Sequence, residues 1–445
     1  MLKSSERWLD ISKDKSTVIH IRISIFLALD EIELATEETL AAIKVSKDKD
    51  KFALVYDTIR VFEDDAIKKI FDEVYRKYKD EYLANFYYVQ ILLNSNEYEQ
   101  AVKVVKNSYK FKEFNKKESR WGIFLANAYY ELGKKDLSVQ TLKDYLSYSP
   151  KDLYLNQYYV EILTSQENYD EAIDHYRFMS ANKLINFSDV SVAKKMALLN
   201  IKAKKYIDAN TFIKSMKSKD TNSYNFLKGM LYIQKNNYPE AEKFFRKVEK
   251  KDDNYINSVK EISKVKIKRK EYDNLKNFFI NQHEDIKSKE LEIRLIIIET
   301  EIFFNEKKYE YSMERINLGL KKYKNNSSFL YTRALVAEQI DRLDILESEL
   351  KKLNNMEPKN AQALNALGYT WANKNINLIE ANKYIDMALK IEPNDAAILD
   401  SKGWVLYRLG KFKKSEDYLI KALKISDDTE IVSHFIQNLI KQNKL

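Results

Sequence analysis

The sequence predicts an all-α protein, a right-handed superhelical solenoid of helix hairpins, and three observations carry that reading. Glycine occurs 7 times and proline 4 times in 445 residues, far below the usual shares of about 7% and 5%. That leaves little material for turn-rich β structure or glycine-rich phosphate loops. A pattern of an aromatic or leucine, followed three positions later by a small or apolar residue, returns about every 34 residues along the chain. Finally, every proline sits where a helix must stop or begin. Apolar residues make up 44% of the chain, enough to bury a continuous core, so a disordered chain is excluded.

The recurring pairs are Tyr98/Ala101, Tyr169/Ala172, Tyr206/Ala209, Tyr238/Ala241, Tyr272/Leu275, Tyr309/Ser312, Leu343/Leu346, Leu378/Ala381 and Phe412/Ser415. From Tyr169 onward their first members are spaced 37, 32, 34, 37, 34, 35 and 34 residues. The 71 residues between Tyr98 and Tyr169 hold one further unit, with Lys135 and Ser138 in the two places. Thirty-four residues is the period of the tetratricopeptide repeat, a helix, a short turn and a second helix. The expected fold is therefore a solenoid of tetratricopeptide-type hairpins, roughly eleven to twelve of them by dividing the chain by the period.

Within a unit, Gly229, Gly368 and Gly403 share one place in the first helix, which Ala126 and Ala334 fill elsewhere. Glycine inside a helix costs roughly 0.5–1 kcal/mol relative to alanine, so a packing reason is required. The reason is a close crossing: Gly403 faces Ser415 and Gly368 faces Ala381 in the second helix. Pro150, Pro358 and Pro393 end units, and Pro239 stands in the first turn of a second helix. Two weaker units precede Tyr98, one at 17–46 and one in "FALVYDTIRVFEDDAIKKIFDEVYRKY". The resulting organisation is divergent helical repeats over 1–80, tetratricopeptide-like repeats over 81–222, tetratricopeptide repeats over 223–428, and a capping helix over 429–445 with a polar outer face, as a solenoid end requires. Longer turns at Phe111–Ser119, Asn182–Ser188 and Gln282–Lys289 are candidate hinges.

Enzyme chemistry finds no foothold. There is no cysteine, which excludes disulfides, thiol catalysis, zinc fingers and iron–sulfur ligation. His20, His175, His283 and His434 lie far apart, without the i,i+4 spacing of a helical metal site. Gly133–Lys134 and Gly410–Lys411 lack the upstream glycine of a phosphate loop. No catalytic residue, metal or cofactor is expected, and the chain reads as a non-enzyme. The net charge of +9 is spread through turns among acids rather than gathered on one face, which argues against a nucleic-acid binder. A helical-repeat RNA binder is the remote alternative. The apolar stretch Val18–Leu29 is broken by His20 and Arg22 and reads as a first amphipathic helix, not a signal peptide. No run reaches a membrane span, so no direct membrane insertion is expected.

In a tetratricopeptide stack the first helices line the concave groove. Counting from the glycine place puts Asp400, Trp404, Tyr407 and Arg408 there, with Asn365, Tyr369 and Asn373 from the preceding unit and Tyr331 and Glu338 from the one before. Aromatics, a guanidinium and side-chain amides suit recognition of an extended peptide or a partner helix.

The last 60 or so residues also resemble the final repeats of a bacterial family of tetratricopeptide outer-membrane lipoproteins. The matching stretches are "NALGY" at Asn365–Tyr369, "PNDAAILDS" at Pro393–Ser401 and "GWVLYRLG" at Gly403–Gly410. The resemblance implies an adaptor for a periplasmic carboxyl-terminal processing protease, presenting substrates such as cell-wall hydrolases. It covers about a seventh of the chain, and two features of the family are missing: a signal peptide and a lipid-anchor cysteine. With a leader removed, the resemblance implies the periplasmic side of the outer membrane; otherwise a cytoplasmic scaffold or assembly factor is expected.

Overall fold

The computed structural model describes residues 15–46, 50–62, 64–115, 118–284 and 286–444. Among the described residues there are 25 α-helices and no strand, arranged as twelve sequential pairs and a terminal helix. Contacts divide the chain into two compact units, 1–254 and 255–445. The division falls in the Lys- and Asp-rich connection that follows the shortest helix, not at any of the three longer turns.

The first unit holds α1 (Lys15–Ala28), α2 (Ile32–Val45), α3 (Lys51–Ile59), α4 (Asp64–Tyr78), α5 (Tyr82–Asn94), α6 (Tyr98–Ser108) and α7 (Ser119–Glu131). It continues through α8 (Lys135–Tyr148), α9 (Leu153–Ser165), α10 (Tyr169–Ala181), α11 (Val190–Lys202), α12 (Tyr206–Ser215), α13 (Thr221–Gln234) and α14 (Tyr238–Phe245). The second unit holds α15 (Tyr255–Lys268), α16 (Tyr272–His283), α17 (Lys289–Asn305), α18 (Tyr309–Lys322), α19 (Ser327–Gln339) and α20 (Leu343–Met356). It ends with α21 (Ala361–Asn373), α22 (Leu378–Ile391), α23 (Ala396–Arg408), α24 (Phe412–Leu423) and α25 (Thr429–Lys441). The recurring aromatic or leucine is in each case the first residue of a second helix, which is why it keeps the period.

One grammar runs from α5 to α24. Take the small place in the first helix as position n: Val89, Ala126, Val160, Ala197, Gly229, Ser263, Thr300, Ala334, Gly368 and Gly403, all buried. Position n+7 then adopts the left-handed backbone, with φ between 55 and 74° at Asn96, Gly133, Glu167, Lys204, Asn236, Lys270, Lys307, Asp341, Asn375 and Gly410. There the first helix closes in a Schellman motif: Lys411 N–H donates to Leu406 O at 2.9 Å and Gly410 N–H to Tyr407 O at 2.9 Å. Position n+12 is the small partner. The α21–α22 turn carries one extra residue, with both Asn375 and Asn377 left-handed, so its partner Ala381 falls one position later.

At the crossing, at least one residue of each pair is glycine, alanine or serine. Val89 and Val160 face Ala101 and Ala172, whereas Ser263 and Ala334 face Leu275 and Leu346, all at most 4% exposed. Where the second place is serine, its hydroxyl also donates to the carbonyl at n: Ser138 to Ala126 at 2.7 Å, Ser312 to Thr300 at 3.1 Å and Ser415 to Gly403 at 2.7 Å. A Cβ on Gly368 would stand 2.9 Å from the Ala381 carbonyl oxygen and 2.7 Å from Ile385 Cγ1. On Gly403 it would meet Leu419 Cγ at 2.5 Å.

The capping helix forms over the expected residues, and one expectation about it is corrected. Its inner face buries Ile431, His434 and Asn438. Its outer face is not polar, because Val432, Ile436 and Ile440, one turn apart, are all exposed. At the amino end, α1 buries Val18, Ile19, Ile23, Phe26 and Leu27, and Arg22, also buried, pairs with Glu38 of α2.

Three outcomes follow from this architecture. Gly368→Ala should lower stability by ~1–3 kcal/mol through overpacking against backbone; an unchanged urea midpoint would refute the crossing. Lys307→Gly, at an exposed left-handed position, should raise stability by about 0.5–1 kcal/mol, read in the same denaturation series. The third concerns His175. Its Nε2 lies 2.8 Å from Asn156 Oδ1, and its ring sits between Tyr159 and Phe178. Burial holds its pKa down to about 4 from 6.5, against the opposing charge of Glu171. The folded value lies below the unfolded one, so this contribution is complete above about pH 6.5 and is lost as pH falls towards 4. His175→Gln should remove roughly 2–3 kcal/mol of acid sensitivity across that window. Parallel acid titrations of the two proteins that superimpose would exclude it.

Candidate partner-binding groove

In the second unit, α19, α21, α23 and α25 stand side by side as successive first helices. Each is started by a side chain that accepts a backbone N–H: Asn326 from Phe329, Asn360 from Ala363, Asp395 from Ile398 and Asp428 from Glu430, at 2.8–3.0 Å. These caps fix the four helix starts, and two of them, Asp395 and Asp428, are cleft-lining acids.

Two adjoining clefts open on this face. The first, about 300 Å³, is lined by Tyr331, Leu335 and Glu338 of α19, by Gln362, Asn365, Ala366, Tyr369 and Thr370 of α21, and by Asp395, Ala397 and Ile398 at the start of α23. The second, about 380 Å³, shares Asn365, Tyr369, Asp395 and Ala397 and adds Ala396, Asp400, Ser401, Ser426, Asp428, Glu430 and Ile431. Five residues singled out from the sequence are therefore together here: Tyr331, Glu338, Asn365, Tyr369 and Asp400.

The other four do not line these clefts. Trp404 is 4% exposed, because the capping helix lays His434 on it with ring centroids 4.0 Å apart and planes 17° apart. On its other side Trp404 stacks with Tyr407 at 4.9 Å and 9°. Arg408 lies over the Trp404 ring at 4.8 Å and donates to the carbonyls of Ala372 at 3.1 Å and Asn373 at 2.8 Å. It thus caps the carboxyl end of α21, where a cation is favoured. The side chain of Asn373 is at the exposed end of that helix. This group is a joint between successive pairs, not an open recognition surface.

The electrostatics of the clefts are one-sided. Asp400 is pushed up from the usual carboxylate range, chiefly by burial, with Glu430 and Asp428 adding to the shift and His434 opposing it. Its carboxylate lies 2.9 and 3.0 Å from His434 Nδ1. The Tyr369 hydroxyl donates to Glu430 of the capping helix, and burial, that bond and the charges of Asp400 and Glu338 all raise its pKa. Burial and Glu338 raise Tyr331 in the same way. The acids Asp395, Asp428 and Glu430 were missed from the sequence. Their signal was present in "PND" and "DDTE", since an acid that starts a first helix stands at the groove.

The first unit has its own cleft between first helices, about 500 Å³, with Val160, Glu161 and Thr164 of α9, Tyr176 of α10, and Lys195, Leu198 and Lys202 of α11 among its walls. Among the described residues no cluster of metal-ligating side chains occurs, and no helix is long and apolar enough to cross a membrane.

Comparison with known proteins agrees with the hairpin geometry. The family model described as a tetratricopeptide repeat matches residues 123–152, 223–253 and 396–429, which are the α7–α8, α13–α14 and α23–α24 pairs. The chain carries tetratricopeptide repeats at these places, and such repeats generally serve as non-enzymatic protein-interaction scaffolds. Over 142 residues the chain is 42% identical to a TPR repeat-containing protein of Pseudomonas aeruginosa. That match takes in 32% of this chain and 24% of the relative, so the chain spans about a quarter of that relative's length. Among solved structures, a thermophilic TPR protein of Thermus thermophilus is 18% identical, covering 34% of this chain and 83% of that one, with a TM-score of 0.32. A tetratricopeptide repeat protein from Parabacteroides merdae is 12% identical, covering 67% and 97%, with a TM-score of 0.33.

Proposed function

We propose that the chain is a non-enzymatic adaptor that docks protein partners along the first-helix groove of its second unit. The observation that carries this reading is the pair of contiguous clefts spanning α19, α21, α23 and α25. Their walls combine half-buried tyrosines with amides and carboxylates, the mixture of rigid apolar area and directional polar groups that recognises a peptide backbone. We further propose the finer assignment: a carboxyl-terminal processing protease and its cell-envelope substrates, such as cell-wall hydrolases, as partners, on the periplasmic side of the bacterial outer membrane. The resemblance across Asn365–Tyr369, Pro393–Ser401 and Gly403–Gly410 supports it. The acidic clefts disfavour a phosphate backbone, so RNA binding is not proposed.

A photo-crosslinking residue placed at Tyr331 or Asn365, and at the exposed Ile379 of a second helix, tests the docking reading in cells. Protein adducts are expected from the two groove positions and not from Ile379. Equal labelling from all three sites, or none from the groove, would sink it. Mass spectrometry of the adducts decides the finer assignment, which fails if no protease of this class or envelope substrate is among them.

A further inference from the structure

Every charged side chain lining the two clefts is acidic: Glu338, Asp395, Asp400, Asp428 and Glu430. This runs against the composition, because the whole chain carries a formal net charge of +9. Several of these carboxylates accept bonds from neutral groups, which orient them and leave their charge in place. Glu338 accepts from Thr370 Oγ1 at 2.9 Å, Asp395 from the Ile398 amide at 2.8 Å, Asp428 from the Glu430 amide at 2.8 Å and Glu430 from the Tyr369 hydroxyl. Of the nearby basic groups, Arg408 is bonded to the carbonyls of α21 and Lys374 to Asp341 at 2.6 Å, with Glu338 a weaker electrostatic partner of Lys374, while His434 is bonded to Asp400. A second, independent feature points the same way. The side-chain oxygen of Asn365, in the wall common to both clefts, is shielded from solvent and accepts no hydrogen bond. A buried acceptor left open beside carboxylates bonded mostly to neutral groups is complementary to a ligand rich in N–H donors.

We propose that this groove takes an extended, lysine- or arginine-bearing segment of its protein partner. The segment's ammonium or guanidinium groups meet Glu338, Asp395 and Asp428, and one of its N–H groups donates to Asn365 Oδ1. This assignment rests on the docking reading above and adds the sign of the partner.

The acids can be neutralised without disturbing their local roles. Gln at Glu338 still accepts from Thr370, and Asn at Asp395 and Asp428 remains a good helix cap. The test compares wild type with the triple variant Glu338→Gln, Asp395→Asn, Asp428→Asn. A control variant carries the same number of neutralised exposed acids on second helices: Glu310→Gln, Glu380→Gln, Asp417→Asn. The probe is a fluorescein-labelled Lys/Gly/Ser peptide, with its Glu/Gly/Ser counterpart, titrated by anisotropy at low and high salt. Wild type and control should bind the lysine peptide and not the glutamate one, with affinity falling as salt rises. The triple variant should bind at least about tenfold more weakly and with a flatter salt dependence. Asn365→Leu, which removes the open acceptor and leaves every charge, should also weaken binding. Equal binding by control and triple variants, or no preference for the lysine peptide, overturns the assignment of sign. If groove crosslinks at Tyr331 and Asn365 persist in that case, docking stands with a partner of other chemistry. If they too are absent, both readings fall.

Discussion

At each crossing between the two helices of a pair, the volume of two facing side chains decides whether the backbones can close. The ten places from Val89 to Gly403, with their partners twelve or thirteen residues on, are all buried, and at least one residue of each pair is glycine, alanine or serine. Valine meets alanine, serine or alanine meets leucine, and glycine meets alanine or serine. The rest of a unit is counted from this contact. Seven residues later the chain must turn left-handed to bring the second helix back, and two residues after that the aromatic or leucine starts it. The glycines at the crossings are a symptom of the constraint, not the constraint itself, which is why most units do without them. The turns show the same independence: only Gly133 and Gly410 use glycine, and Lys, Asn, Asp or Glu accept the left-handed strain elsewhere.

The residue just before the small place carries a second layer of specification. It is buried or, for Arg333, partly buried, and in several units it is polar or charged: Tyr88, Tyr159, Lys228, Glu299, Arg333 and Lys402. Each reaches a second helix. Tyr88 donates to Asp72 at 2.7 Å, Arg333 to Glu349 at 2.9 Å, and Lys402 to Asn382 at 2.7 Å and to Asp386. Glu299, fully buried, lies 2.8 Å from His283 Nε2 in the preceding pair and accepts from Tyr311 at 2.7 Å and Arg315 at 2.9 Å in its own. Apolar contacts alone would let adjacent hairpins slide by a turn at modest cost. A buried carboxylate with three required donors does not, since losing one partner costs about 3–5 kcal/mol. His283, which offers no metal site from its sequence neighbours, has this structural use.

Sequence periodicity reached the repeat, the helix starts and the twelve pairs because these are local: each depends on residues within one period. It reached only part of the groove. Position on a first helix was enough to bring Tyr331, Glu338, Asn365, Tyr369 and Asp400 to one surface. It was not enough for Trp404, whose exposure depends on His434 in the capping helix, thirty residues on and outside the repeat. Nor could it show that Arg408 is held by two carbonyls of the preceding pair, because main-chain acceptors leave no trace in side-chain identity. The apolar outer face of the capping helix was misjudged for a different reason. In α25, Val432, Ile436 and Ile440 have the spacing of a core stripe, yet among the described residues no helix covers them.

The separation of roles between the two helices of a pair explains why recognition concentrates on the first. A second helix gives its small residue to the crossing and polar positions to the buried ladder, and its remaining face mixes charged residues with exposed apolar ones such as Ile207, Ile280 and Ile379. A first helix also contributes one face to its neighbours, and the starts of α19, α21, α23 and α25 are each fixed by a capping acid or amide. In the second unit, Asp395 and Asp428 therefore hold their places for reasons of folding, and the groove inherits their charge. Glu430 adds to it through its bond to Tyr369, two first helices away, and Glu338 through its bond to Thr370 of the next pair. Where the cap is an acid rather than an amide or a hydroxyl, capping a first helix also places negative charge at the groove, as Asp395 and Asp428 do.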